Sequence, residues 1–217
     1  MIKKIFLFAG FLVLLTGIYA QQKPDALKHF FNGRDLDVKG RTADAVTEYN
    51  TAIEICRDEL KLNPQNMDSY AVYSWSLFRL KQYAETLALC QQALGIHEDA
   101  RIIETMGEAL FYLNRFDECL AQMQRYISMA PNGDRISVAY FFEGEIYRLR
   151  NQYEKAEIAY TTAVFFEPRM SLWWFRLGTM REALKDINGA VDGYKRALQL
   201  WPDYTEAQNA LKRLNSH

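Results

Sequence analysis

Apolar residues return along this chain with the period of an α-helix. From Ala26 onward they recur every three or four positions, which is the spacing of one helical face. No glycine-rich hairpin signal separates the apolar stretches, so the pattern predicts helices and no strands. Small residues are spaced just as regularly. Ala156 and Ala163 lie seven positions apart, two turns along one face, and so do Ala190 and Ala197. A face of small residues lets a neighbouring helix come close. Gly144 and Gly178 fall inside helical stretches, where glycine costs about 1 kcal/mol against alanine. A second helix packed against them accounts for their presence. Pro168 and Pro202 stop the helices that precede them.

The same positions repeat. Tyr140, Gly144, Tyr147, Ala156, Tyr160, Ala163 and Pro168 form one series, and Trp174, Gly178, Arg181, Ala190, Tyr194, Ala197 and Pro202 form the next, each member displaced by 34 residues. This series resembles the tetratricopeptide repeat, a 34-residue helix–turn–helix unit with W-x₂-L-G-x₂-Y followed by small, aromatic, small and proline positions. Weaker copies precede it. One holds Ile103, Met106, Gly107, Cys119, Met123 and Pro131, with Leu110 at the aromatic position of the first helix and Tyr126 at the second small position. Pro131 and Pro168 are 37 apart, and the surplus of three falls at Asp134-Arg135-Ile136, a loop position. Another copy holds Tyr70, Tyr73, Ser74, Leu77, Thr86, Cys90 and Ala93, with Glu98 in place of proline. The first keeps Gly33, Ala45, Tyr49 and Ala52, while His29 and Asn32 replace apolar residues; terminal repeats are commonly atypical. Seven extra residues between Ala52 and Pro64 predict a second helix longer by almost two turns, with Ile55, Leu60 and Leu62 continuing its apolar stripe.

The resemblance thus implies an all-α, right-handed superhelical solenoid. Its five repeats span residues 26–66, 67–99, 100–136, 137–170 and 171–204, and a capping helix spans 205–217. In this family the concave groove is lined by first-helix positions 2, 5, 9, 12 and 13. Carried onto this chain, that register gives a partner-binding groove of Trp75, Phe78, Arg79, Arg101, Glu104, Glu108, Phe111, Tyr112, Phe141, Glu145, Arg148 and Phe175, an aromatic stripe among alternating charges. Aromatic anchors of this kind hold a peptide or a partner helix. One subtype does not fit. Co-chaperones that hold acidic C-terminal tails use lysine, asparagine and arginine at fixed groove positions, whereas Phe30, Ala71 and Glu104 stand at the fifth positions here and Arg34 and Trp75 at the ninth.

The segment before the repeats has another character. Lys3 and Lys4 precede an apolar run from Ile5 to Ile18, and Tyr19-Ala20-Gln21-Gln22 follow. A basic head, a 14-residue apolar segment and a small residue before polar ones predict a secretory signal peptide over residues 1–20, cleaved after Ala20. An uncleaved N-terminal anchor is the alternative, although a comfortable span needs about 20 apolar residues. No cysteine follows the run to carry a lipid. The predicted location is outside the cytoplasm, with the periplasm of a bacterium first. Losing Lys3 and Lys4 takes the formal charge from −1 to about −3.

Composition narrows the function. Hydrophobic residues make up 49% and charged residues 24%, a folding composition. Near-neutral charge gives no footprint for nucleic acid, and Arg148-Leu149-Arg150 is too small a basic cluster to change that. Cys56, Cys90 and Cys119 are an odd set, read as buried thiols rather than a disulfide framework. No H-E-x-x-H, G-x-S-x-G, phosphate-cradling loop or cysteine–histidine metal spacing occurs. His97 beside Glu98 and Asp99 reads as a solvated loop. Glu104 and Glu108, four apart on one helical face, with Glu145 across the groove, are the one pairing suited to acid–base work. The expectation is a non-enzymatic scaffold or adaptor of the bacterial cell envelope, with no cofactor, metal or nucleic acid and a protein partner. The alternative is a small-ligand or carrier-binding component of an envelope transport system.

Overall fold

The computed structural model describes residues 25–215. The signal-peptide reading of residues 1–20 lies outside the described residues.

Eleven helices and no strand make up the described chain. They run α1 Ala26–Val38, α2 Thr42–Leu62, α3 Met67–Arg79, α4 Tyr83–Leu94, α5 Ala100–Tyr112, α6 Phe116–Met129, α7 Ile136–Leu149, α8 Tyr153–Phe166, α9 Ser171–Ala183, α10 Ile187–Leu200 and α11 Thr205–Asn215. Consecutive helices pack as pairs, and each pair packs on the next. The result is a solenoid of helix hairpins.

Every first helix closes in the same way. The residues Gly40, Lys81, Asn114, Asn151 and Lys185 take positive φ angles of 72°, 61°, 59°, 56° and 67°. The next amide in each turn reaches back five residues: Arg41 to the Leu36 carbonyl, Gln82 to Leu77, Arg115 to Leu110, Gln152 to Tyr147 and Asp186 to Arg181, all at 2.9–3.0 Å. These are Schellman closures, which satisfy the carbonyls at the end of a helix.

The mid-helix glycines are close-approach positions. A Cβ on Gly144 would come within 2.7 Å of the Tyr160 ring, and one on Gly178 within 2.8 Å of the Tyr194 ring. Each tyrosine comes from the second helix of its own pair and is fully buried. The alanines named from the repeat pattern, Ala156, Ala163, Ala190 and Ala197, are buried as well.

The long second helix is α2, with 21 residues against 12–14 in the other second helices. Its extension keeps Cys56 in the core and packs Leu60 against it, but Leu62 is 88% exposed, so the apolar stripe ends before the helix does. The surplus loop between α6 and α7 ends one residue sooner than the repeat spacing implies, because Ile136 is already buried in the first turn of α7. At the far end α11 covers the last pair. Ala207 and Ala210 are buried there, and Leu211 and Leu214 pack beside Tyr194 and Ala190.

Curvature follows from which helices touch. Successive first helices meet, α1 with α3, α3 with α5 and α5 with α7, whereas successive second helices share no comparable row of contacts. The first helices therefore form the inner, concave row and the second helices the outer one.

Candidate functional site

The concave row divides into an open part and a filled part. The open part is a cavity of about 570 Å³ lined by Asp25, Ala26, Leu27, Glu59, Asn66, Asp68, Ser69, Val72, Trp75 and Arg101. It lies where α1, α3 and α5 begin. Caps organise its rim: Asp25 accepts from the Lys28 amide, Asn66 from the Asp68 and Ser69 amides, and Asp99 from the Arg101 amide. The Ser69 hydroxyl donates to Glu59 at 2.7 Å, and Arg101 bridges Asp68 and Asp99 at 2.8 and 2.7 Å. Asp99 is held below its ordinary carboxyl range; burial opposes this, but the Arg101 side chain and amide outweigh it. Trp75 is half-buried at the cavity wall, its ring 5.5 Å from that of Phe30.

Beyond the cavity the chain fills its own groove. Glu104 and Glu108 are both buried, and one arginine from the surplus loop serves them: Arg135 Nε donates to Glu104 at 2.9 Å and its Nη2 to Glu108. Burial, then the neighbouring Glu108 charge, raise Glu104 well above the ordinary carboxyl range despite the guanidinium. The next carboxylate, Glu145, is also buried. It accepts from the Tyr160 hydroxyl at 2.5 Å and from Arg148 at 2.7 Å, with Arg176 Nε 2.8 Å away. That last contact is off the hydrogen-bonding line and acts coulombically.

A tyrosine–carboxylate–arginine unit recurs at three seams of the array. At the first, Asp37 accepts from Tyr49 at 2.7 Å and from Arg79 at 2.6 Å. Between the fourth and fifth pairs Glu145 accepts from Tyr160 and pairs by charge with Arg176 at 2.8 Å. At the last, Glu182 accepts from Tyr194 at 2.6 Å and from Arg213 of the capping helix at 2.7 Å. In each, the tyrosine and carboxylate belong to one pair and an arginine to the next, so each unit stitches neighbours. Burial and the Asp37 carboxylate push the Tyr49 hydroxyl up to about 12. Asp37 itself is held low, since hydrogen bonds from Arg79 and Tyr49 overcome the effect of burial.

The aromatic stripe expected in the groove packs against neighbouring rings, and from Phe78 through Tyr112, Phe111 and Phe142 to Phe141 it is continuous. Phe78 and Tyr112 meet edge-on at 5.7 Å, and Tyr112 stacks on Tyr83 at 4.7 Å. Phe111 packs into the central core beside Phe142 at 4.9 Å. Phe141 stacks on Trp173 at 5.1 Å, and Phe175 lies between Tyr194 and Tyr204 at 5.5 and 5.0 Å. Of the sequence-derived set, Trp75 and Arg101 line the cavity. Arg79, Glu104, Glu108 and Glu145 are engaged in ion pairs across seams, and Arg148 pairs with Glu145 within α7. Reading the sequence did not mark Asp25, Leu27, Glu59, Asn66 or Val72, all of which line the cavity. Asn66 followed by the apolar-periodic α3 was the available signal, because asparagine there is a helix cap.

Known proteins share this architecture. The family model of the anaphase-promoting complex, cyclosome, subunit 3 matches residues 46–126. The BBSome complex member BBS4 of Bos taurus is 24% identical over 138 residues, which is 60% of this chain and 26% of that protein. The chain thus spans about a quarter of that relative's length. Among solved structures, PilF of Pseudomonas aeruginosa superposes with a TM-score of 0.69 at 14% identity, covering 88% of this chain and 83% of PilF. MamA of Desulfovibrio magneticus RS-1 gives 0.62 at 17% identity, covering 84% and 98%. YrrB, described as a TPR protein with an unusual peptide-binding site, gives 0.58 at 18% identity, covering 89% and 95%. Stacked helix hairpins with an inner row of first helices define an α-solenoid. With its 34-residue series, the chain has the fold of the tetratricopeptide-repeat solenoids.

The fold is in general one that binds proteins rather than one that catalyses. Among the described residues no helix is long and apolar enough to cross a membrane.

Proposed function

We propose that this protein is a non-enzymatic scaffold of the bacterial cell envelope, exported by residues 1–20, that holds a peptide or helix of a protein partner on its concave face. The contact is placed at the end formed by α1, α3 and the start of α5. One observation carries this: the open cavity of about 570 Å³ beside Trp75, on a face whose remaining carboxylates are taken by the chain's own arginines. Leu27, Val72 and Trp75 offer apolar anchorage, and the caps and Arg101 offer polar groups at the rim, the mixture typical of peptide sites. Relatives that share the fold are subunits of assemblies, and one carries a peptide-binding site.

Affinity capture from the native envelope fraction tests the reading. A partner retained by the wild type should be lost or weakened at least tenfold by Trp75→Ala, because truncating an aromatic anchor typically costs about 2 kcal/mol. Capture undiminished by Trp75→Ala overturns the site. Saturable uptake of a small molecule with no captured protein moves the reading to a carrier. Export is read separately: mass spectrometry of protein from its own host should find an N-terminus near Gln21, and an intact Met1 in the membrane pellet overturns cleavage.

A further inference from the structure

We propose that the outer face of α8 is a self-association surface on which a second copy of this chain docks, two α8 helices crossing antiparallel about a two-fold axis. This is independent of the concave site, which faces the other way.

The observation is a contrast among the outer helices. Two positions after the first small residue of each second helix stand Thr47, Ala88, Ala121, Ile158 and Asp192; nine positions after it stand Glu54, Gly95, Ser128, Phe165 and Gln199. Four helices carry small or polar residues at both places, as an outer face in water requires. Helix α8 carries two large apolar ones, with Ile158 64% exposed and Phe165 78% exposed. They are seven residues apart and thus share one face. Phe166 adjoins them, 45% exposed, its ring 5.4 Å from that of Phe165 and stacked on Tyr140. Large apolar side chains grouped on a surface mark a place that is covered.

The occupant follows from self-complementarity. Between Ile158 and Phe165 lie Thr161 and Thr162, short side chains that allow two helix backbones to cross closely. An antiparallel partner centred between the two threonines sets Ile158 of each copy against Phe165 of the other. The same operation brings Glu154, at the start of α8, towards Arg169 of the second copy, just past its end. Glu154 makes no hydrogen bond or ion pair with a described residue. Arg169 is 84% exposed at its side chain and holds only Glu167, at 3.4 Å. Two apolar contacts and two ion pairs are thus generated by one axis, as an isologous interface demands. A patch one helix wide belongs to the weak end of interfaces, so dissociation on the order of 10–100 μM is expected.

Sedimentation equilibrium of the protein purified from its host tests this. The wild type should pass from monomer to dimer as concentration rises. Ile158→Asp with Phe165→Asp should weaken the dimer about 100-fold and leave the thermal melt unchanged, since both side chains are exposed. Glu154→Arg should weaken it about tenfold, and adding Arg169→Glu should restore it. Thr161→Cys should yield a dimer through a thiol crosslinker, because Cys56, Cys90 and Cys119 are buried. Monomer at all concentrations to about 0.5 mM, or a dimer indifferent to these substitutions, overturns the proposal. So does a monomer that uses Phe165 to bind lipid vesicles or another protein.

Discussion

The two ends of the concave face are built from the same helix pair and differ in what fills them. Across α1 and α3 the inner surface leaves room, and its one ion pair to α5, Arg101 with Asp68, joins exposed groups. Across α5, α7 and α9 the inner surface is closed by arginines reaching buried carboxylates. The lesson concerns charge. A buried inner-row carboxylate, such as Glu104, Glu108 or Glu145, serves as a rivet for the arginine set against it, whereas Asp68 at the open end meets Arg101 in an exposed setting.

The largest expected effect tests the closed end. Arg135→Ala leaves Glu104 and Glu108 buried without their cation and should cost about 3 kcal/mol in chemical denaturation, the scale of a broken buried pair. Arg101→Ala, at the open end, should cost under about 1 kcal/mol, because exposed pairs contribute little. Equal losses would erase the distinction. Next comes an aromatic pair. Phe111→Ala should cost about 2 kcal/mol or more of stability from the central core, whereas Trp75→Ala should act mainly on binding. A reversal, with Phe111 governing capture and Trp75 governing the melt, would move the site to the middle of the array.

Acid separates the seams more gently. Glu104 binds its proton more tightly when folded than its ordinary value of 4.5. Its effect on stability therefore diminishes as pH rises from about that value through the raised one, and mild acid favours the middle seam. Asp37 and Glu182 are shifted down, so the stability they add is present above their ordinary values of 3.8 and 4.5 and is lost as pH falls below them. Glu104→Gln should flatten the decline in stability above pH 4.5, and Asp37→Asn the loss below pH 4. A wild-type profile unchanged by Glu104→Gln would mean that the carboxyl does not hold its proton in the fold. The smallest effect is on thiol chemistry. Burial raises Cys90 and Cys119 to about 12, so native labelling should be slow and denatured labelling fast. Quick native labelling of both would deny the tight packing on which both ends depend.

The helices were legible because their signals are local. Gly144 with Tyr160 and Gly178 with Tyr194 are partners sixteen residues apart within one unit, and the repeat displays them twice. The three surplus residues near Asp134 were visible as an insertion, but what they accomplish was not. Arg135 lies 31 residues from Glu104 and 27 from Glu108, and no spacing rule links a loop arginine to a helix two elements earlier. For the same reason the groove register named Glu104, Glu108 and Glu145 without revealing that each already had a cation. Leu62 continued an apolar stripe in the sequence, yet among the described residues nothing covers it.

The five Schellman turns carry a consequence for how such a chain arises. Each closure joins a backbone amide to a backbone carbonyl, so it survives a change of side chain. Gly40, Lys81, Asn114, Asn151 and Lys185 hold the same left-handed conformation with three kinds of residue. A unit whose bend is written in the backbone can be duplicated and then drift, keeping its angle while its letters diverge. The array is thus free to specialise its surfaces copy by copy, opening one pair and riveting another, without renegotiating how a pair folds.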